Sequence, residues 1–267
     1  TGLSRPSQNG PELYGFRGNA KNLDLNREFI KCDSKNALSF NCLFNRWSPD
    51  VLIDTHASNG SDYQHTFTLI NTHKDRLQPI LADYMTKQFV PYIYRDMAKK
   101  GWNLVPYVMS WGSPDKGIFG FMDTPRYSSG YAALHQTISF MPETHMLKPY
   151  KDRVASTLDF LKTAFTFIAN NKDELCSTRA QAFKQMMVQD SFTLAYTLDK
   201  TVVDSIPFQG FLAGNKTSLV SGMPRLFYDR SKPWEANISY WNTYKPTLSI
   251  KKPLAYVVPQ AYDHIIN

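Results

Sequence analysis

The apolar triplet Val51-Leu52-Ile53 runs into Asp54-Thr55-His56 and then into Ala57-Ser58-Asn59-Gly60-Ser61-Asp62. No other feature constrains the fold as much. The triplet is too short and too β-branched for a helix, and the following run is turn chemistry. It therefore reads as a short buried strand with His56 at its exit. Ligands in open α/β sheets bind outside the carboxyl ends of strands, so this position marks a site. The bland alternative is an imidazole satisfied by a neighbouring backbone group.

Other elements follow from periodicity and punctuation. Residues 1–15, rich in Ser, Pro, Asn and Gly, form a loop. Residues 22–29 alternate and start as an extended segment presenting Asp24 and Asn26 on one face. Asp33-Ser34 supplies a helix N-cap, and Trp47-Ser48-Pro49 stops that helix. Residues 72–100 are one amphipathic segment interrupted by Pro79 and Pro91 and closed by Gly101. Residues 105–109 read as a strand, 111–126 as a long loop with five Gly or Pro, and 127–131 as a short helical piece. A strand over 137–142 ends at Glu143. Helices follow over 150–170 and 172–188, the first with Val154, Leu158, Leu161, Phe165 and Ile168 on one stripe. After Gln189 short β-rich runs (FTLAYTL, GFLAG, RLFYD, AYVVP) alternate with turns.

Composition excludes little and decides less. The chain has 267 residues, 42% hydrophobic and 20% charged, enough for one large core or two modest ones. Aromatics at 14% suit helices sandwiched on a sheet. The net charge of +7 comes from scattered basic residues, and no nucleic-acid motif accompanies it. Three cysteines cannot all pair; Cys32 and Cys42 could approach each other, but free buried thiols are the simpler expectation. No apolar run approaches the ~18 residues of a membrane span.

The polar residues before His56 carry the specific signal. Arg17 and Arg27 lie ten positions apart, with Asn26 beside the second and Asp24 two before that. Asp24-Leu25-Asn26-Arg27 resembles the D-x-N-R element of the zinc metallocarboxypeptidases (carboxypeptidase A-like), and the wider pattern around Gly10-Pro11-Glu12, Phe16-Arg17 and 22–29 resembles a bacterial, exported branch. The resemblance covers roughly residues 8–148. It implies a mixed α/β sheet flanked by helices, with a β-rich C-terminal appendage. His56 would be the third zinc ligand, and Arg17 would polarise the scissile carbonyl. Asn26 and Arg27 would clamp the substrate's terminal carboxylate, and Asp24 would orient an upstream zinc histidine. Glu143 would be the general base, and Tyr127, or else Tyr131, would cap the substrate.

One departure stands against these matches. The family's first two ligands come from an upstream H-x-x-E, and none of His56, His65, His73, His135, His145 or His264 has Glu three places on. The expectation is therefore an incomplete catalytic portion, lacking the N-terminal strands, over 1–189, followed by a β-rich region over 190–267. Zn2+ would be the cofactor, its site unfinished by this chain. The substrate would be a peptide or amide with a free carboxylate, and the location periplasmic or secreted. A carboxylate-binding module that keeps the Asn26-Arg27 clamp without zinc is the rival reading. An H-x-x-E in the coding sequence ahead of Thr1 would favour the enzyme.

Overall fold

The computed structural model describes residues 17–263; the expected loop over 1–15, Phe16 and His264 lie outside the described residues. Its centre is a mixed five-stranded sheet built from β1 (Val51–Ile53), β2 (His56–Ser58), β3 (Phe67–Asn71), β4 (Val105–Pro106) and β6 (Ile138–His145). β6 is the axis: β1 and β2 pair with it in parallel along one side, and β3 runs antiparallel on the other, with β4 beyond.

β1 and β2 are one strand with a pause. Ile53 lies opposite Phe140 and His56 opposite Glu143, so the register is kept across Asp54-Thr55. Pro142 accounts for the pause. Ile138 N donates to Asp50 O (3.2 Å) and Asp54 N to Phe140 O (3.0 Å), whereas His145 N donates to Thr66 O (3.0 Å). Even-numbered peptides of β6 therefore face β1 and β2. Pro142 has no N–H to offer on that side, and the ladder lapses there. His56 consequently opens β2 instead of closing a strand, and Glu143 lies inside β6 instead of at its exit, correcting both sequence expectations.

The period of two then sorts the side chains. Ile138 and Phe140 of β6, with Phe67 and Leu69 of β3, face a helical layer and join the main core. Met141 and Glu143, with Ile70 and His56, face the other way into a cleft. The helical layer holds α2 (Pro79–Tyr84), a π turn (Met85–Phe89), α3 (Val90–Lys99) and α5 (Tyr150–Val188). Pro91 cannot donate to Lys87, and the wider turn before it, with Val90 N bonded to Met85 O, accommodates the ring. α5 is continuous across the expected break, but Asn171 is non-helical (φ −125°, ψ 19°). Arg179 ties α5 to the strand entrances: Nε donates to Gln136 O (3.0 Å), Nη1 to Ser48 O (3.1 Å) and Nη2 to His135 O (3.2 Å).

On the cleft face lie α1 (Lys35–Trp47) and α4 (Ser128–Leu134). Ser34 caps α1 by accepting from Ala37 N (3.1 Å). Phe29, Phe40, Phe44 and Tyr131 pack together between the two helices. The expected strand over 105–109 shortens to β4, with Tyr107 N still donating to Leu69 O (3.2 Å) just beyond it. The expected loop over 111–126 contains a 3-10 turn (Pro114–Lys116) and β5 (Ile118–Phe119).

From Ser191 to Lys251 the chain is mainly strands. β7 (Ser191–Leu198) pairs with β10 (Tyr244–Lys251), and β8 (Asp204–Thr217) with β9 (Pro224–Trp241), both antiparallel; β5 adds to β9 in parallel. The AYVVP run is not a strand. A second core of Tyr63, Val105, Ile118, Phe208 and Ile238 joins this region to the sheet. All three cysteines are free, as expected, but Cys42 and Cys176 are exposed and only Cys32 is half-buried. Among the described residues no helix is long and apolar enough to cross a membrane.

Candidate active site

The cleft above β2 and β6 has a volume of about 210 Å³. Its floor is His56 and Glu143, brought side by side by the parallel register of their strands. His56 Nε2 donates to Asp54 Oδ2 (2.9 Å), which also accepts from Ser128 Oγ (2.6 Å). Asp54 and His56 are two apart on an extended chain, so both project to the same side. With Nε2 so held, the Nδ1 lone pair points toward Glu143, whose Oε1 is 3.8 Å away, too far for a hydrogen bond. Glu143 is 7% exposed and its Oε2 is buried without a hydrogen-bond partner.

Electrostatics follow from this arrangement. Burial pushes the Glu143 carboxyl up to about 7; the His56 imidazole opposes that rise and the Asp54 charge adds to it. For His56 burial works against protonation, but the hydrogen bond and charge of Asp54, then the charge of Glu143, outweigh it and raise the pKa. Burial also works to raise Asp54, and the bonds from His56 and Ser128 outweigh it, so its carboxyl stays ionised below the usual range. Glu143 is thus a buried carboxyl that exchanges its proton near neutrality, as a general base or acid requires.

The rim is cationic. Residues 22–29 are not extended: Leu25–Arg27 form a 3-10 turn capped by Asp24, whose Oδ1 accepts from Asn26 N (3.1 Å). The turn points Asn26 and Arg27 into the cleft. The Arg27 guanidinium lies 4.2 Å from the centroid of the Tyr127 ring and donates from Nη1 to Asn26 O (2.7 Å). Phe121 braces Tyr127 edge-on at 5.1 Å. Arg17 Nε donates to Asp24 Oδ2 (2.7 Å). The remaining guanidinium nitrogens of both arginines have no hydrogen-bond partner among the described residues. Burial works to raise the Asp24 carboxyl, but the bond and charge of Arg17 outweigh it and lower the pKa.

Six of the expected residues therefore line one cleft: Arg17, Asn26, Arg27, His56, Tyr127 and Glu143. Tyr131 does not. It is buried in the aromatic cluster between α1 and α4, its hydroxyl bonded to Asn41. Tyr127 is the extended N-cap residue ahead of α4, whereas Tyr131 lies within that helix and packs on Phe40 and Phe44 of α1. Asp24 holds Arg17 and caps the turn, with no imidazole against it among the described residues. Sequence reasoning missed Asp54, Ser128, Tyr107 and Phe121. Asp54 had a usable signal, since a carboxylate two before a strand histidine shares its face. Tyr107 and Phe121 come from loop segments whose paths depend on distant packing.

Nδ1 of His56 fits one ligand position of a zinc ion, with Asp54 fixing the ring from behind. Among the described residues no group of three or more His, Cys, Asp or Glu side chains could hold a metal. These residues alone do not make a complete zinc site.

No family model matches the chain, and no curated protein matches it. Among solved structures, a metallo-carboxypeptidase from Burkholderia cenocepacia is similar, with a TM-score of 0.44 and 15% identity over 58% of this chain and 41% of that one. The match spans less than half of that protein, and the site above stands on its own residues.

Proposed function

We propose that the cleft is the substrate-holding and proton-transfer part of a zinc carboxypeptidase-type hydrolase, acting on a peptide or related amide that ends in a free carboxylate. One observation carries this reading. An imidazole nitrogen, a buried carboxyl oxygen and the donors of two guanidinium groups, all without hydrogen-bond partners among the described residues, converge on one cleft.

Each residue then has a role. Arg27, stacked on Tyr127, offers its fork to the terminal carboxylate, and Asn26 adds an amide beside it. Arg17, held by Asp24, stabilises negative charge on the attacked carbonyl oxygen. Glu143 takes a proton from water and returns it to the leaving amine. Ile70, Met141 and Phe121 give the cleft an apolar wall, which favours an apolar side chain next to the carboxylate. Zinc, when bound, would lower the pKa of a bound water to about 7. His56 would be one of its ligands, and the others would come from residues outside those described. By the sequence resemblance, residues 1–189 are the catalytic portion and the enzyme works in a bacterial periplasm or outside the cell.

The lack of a three-ligand group among the described residues keeps a second reading in play: a module that binds the carboxylate and does not cut. One experiment separates the two. The protein, extended at its N-terminus by whatever its gene encodes there, is assayed for bound zinc and for release of C-terminal residues. The hydrolase reading expects one zinc per chain and turnover that falls about 10²–10⁴-fold in Glu143→Gln. Tight binding of the peptide with no zinc and no release would leave the binding module. Turnover in Glu143→Gln within a few-fold of the parent would refute the assigned base.

A further inference from the structure

The β8–β9 hairpin ends in an apolar apex that no other described residue covers. Leu219 and Val220 are fully exposed (104% and 98%), and Met223 is 65% exposed. The turn that carries them is ordered. Ser218 N donates to Met223 O (2.8 Å), Gly222 N donates to Ser218 O (2.9 Å), and Gly222 takes φ +69°. Ser218 Oγ also accepts from Val220 N and Ser221 N, each at 3.3 Å. Three large side chains are therefore held outward by their own turn.

Cations stand just behind the apex. Lys216 and Arg225 face each other across the hairpin, and both are exposed. Neither forms an ion pair among the described residues, and Lys216 Nζ sits 3.3 Å from the centroid of the Phe227 ring. Asp229, the first acidic residue along β9, is engaged by Lys232 at 3.7 Å. The hairpin is anchored farther down, where Tyr228 Oη donates to Ser61 Oγ (2.9 Å) and Arg230 Nε to Asp62 Oδ2 (2.6 Å). Ser218 lies five residue steps along the chain from Ala213, the partner of Tyr228, so the apex stands roughly 17 Å beyond this anchor.

We propose that this apex docks the protein on an anionic lipid surface. Leu219, Val220 and Met223 would enter the interface while Lys216 and Arg225 sit at the level of the headgroup phosphates. The order of chemistry along the hairpin matches the order of layers in a bilayer: apolar outermost, cationic one step behind. A folded protein partner fits less well. Stable protein interfaces bury about 800 Å² per side, and a narrow convex tip of three side chains cannot supply that area. The inference is independent of the reaction proposed for the cleft.

The test is co-sedimentation of the intact chain with vesicles of phosphatidylcholine alone or with about one-third phosphatidylserine. The parent chain is expected to bind the anionic vesicles, more weakly as salt rises, and to leave the neutral ones in solution. The pair Leu219→Asp and Val220→Asp, on a fully exposed turn, is expected to lose at least about 10-fold in binding with an unchanged circular dichroism spectrum. Lys216→Glu with Arg225→Glu is expected to lose about as much and supplies an independent variant. Failure to bind anionic vesicles, equal binding to neutral ones, or equal binding by both variant pairs would overturn the proposal. So would concentration-dependent self-association of the parent that the aspartate pair abolishes, since the apex would then be a contact between copies.

Discussion

The cleft and the seam that joins the C-terminal strands to the sheet use the same kinds of side chain in opposite ways. In the seam, His65 Nδ1 donates to Asn103 O (2.9 Å) and Nε2 accepts from Gln209 N (3.1 Å). His73 Nδ1 accepts from Asp75 N (3.3 Å), and Nε2 donates to Asn242 Oδ1 (3.1 Å). Both rings are locked neutral, and burial holds their pKa values down, that of His73 at about 4. In the cleft, His56 has one nitrogen anchored and one open, and Glu143 keeps an oxygen without a partner. A buried polar group left unpaired costs stability. His65 and His73 avoid that cost and Glu143 bears it, which fits a carboxyl held for chemistry rather than for stability.

The largest expected effect sharpens that contrast through pH. Folded Glu143 keeps its proton up to about 7, whereas an unpaired glutamate releases it near 4.5. Folding takes up a proton between those values. The stabilisation linked to it is full below about 4.5 and is lost as pH rises through 7. Glu143→Gln has no proton to lose. The variant is therefore expected to gain up to about 3 kcal/mol over the parent between pH 4 and pH 8 in urea unfolding. A difference that stays flat across that range would show that Glu143 is satisfied in the fold.

A change in the seam is expected to cost somewhat less and in the opposite direction. His65→Phe keeps an aromatic ring but leaves Gln209 N–H and Asn103 C=O unpaired. It should destabilise the chain by about 2 kcal/mol while peptide binding in the cleft stays unchanged. A loss of binding with unchanged stability would reverse the roles assigned to the two regions.

The smallest effect lies behind His56. Asp54→Asn removes the charge that raises the imidazole pKa, so the His56 titration followed by NMR should move down. An unmoved titration would mean that Asp54 does not govern the ring.

Much of the local structure was legible. Ser34 announced α1, and α5 was legible as a helix, but the expected stripe is not its buried face: Val154, Leu158 and Phe165 are exposed, whereas Ser156, Phe160, Thr163, Ala164 and Phe167 are buried. Pairing was harder to read. Ala57 and Ser58 look like turn residues, yet they continue a strand because β6, more than 80 positions away, supplies their partners. The AYVVP run carries two adjacent valines and yet forms no strand. In the cleft, Arg17, Asn26, Arg27, His56 and Glu143 were named from a sequence resemblance, and the sheet brings them together. The choice between Tyr127 and Tyr131 was not legible, because it depends on where α4 starts and which of its residues meet the phenylalanines of α1.

The central claim is that the open polar groups of the cleft receive a carboxylate. Calorimetric titration of a short peptide with a free C-terminus, beside the same peptide amidated, tests it most directly. The parent chain is expected to bind the acid and not the amide, and Arg27→Ala to lose the acid by about 10-fold or more, as for a charge-assisted pair. Equal affinity for acid and amide, or acid binding that survives in Arg27→Ala, would contradict the account.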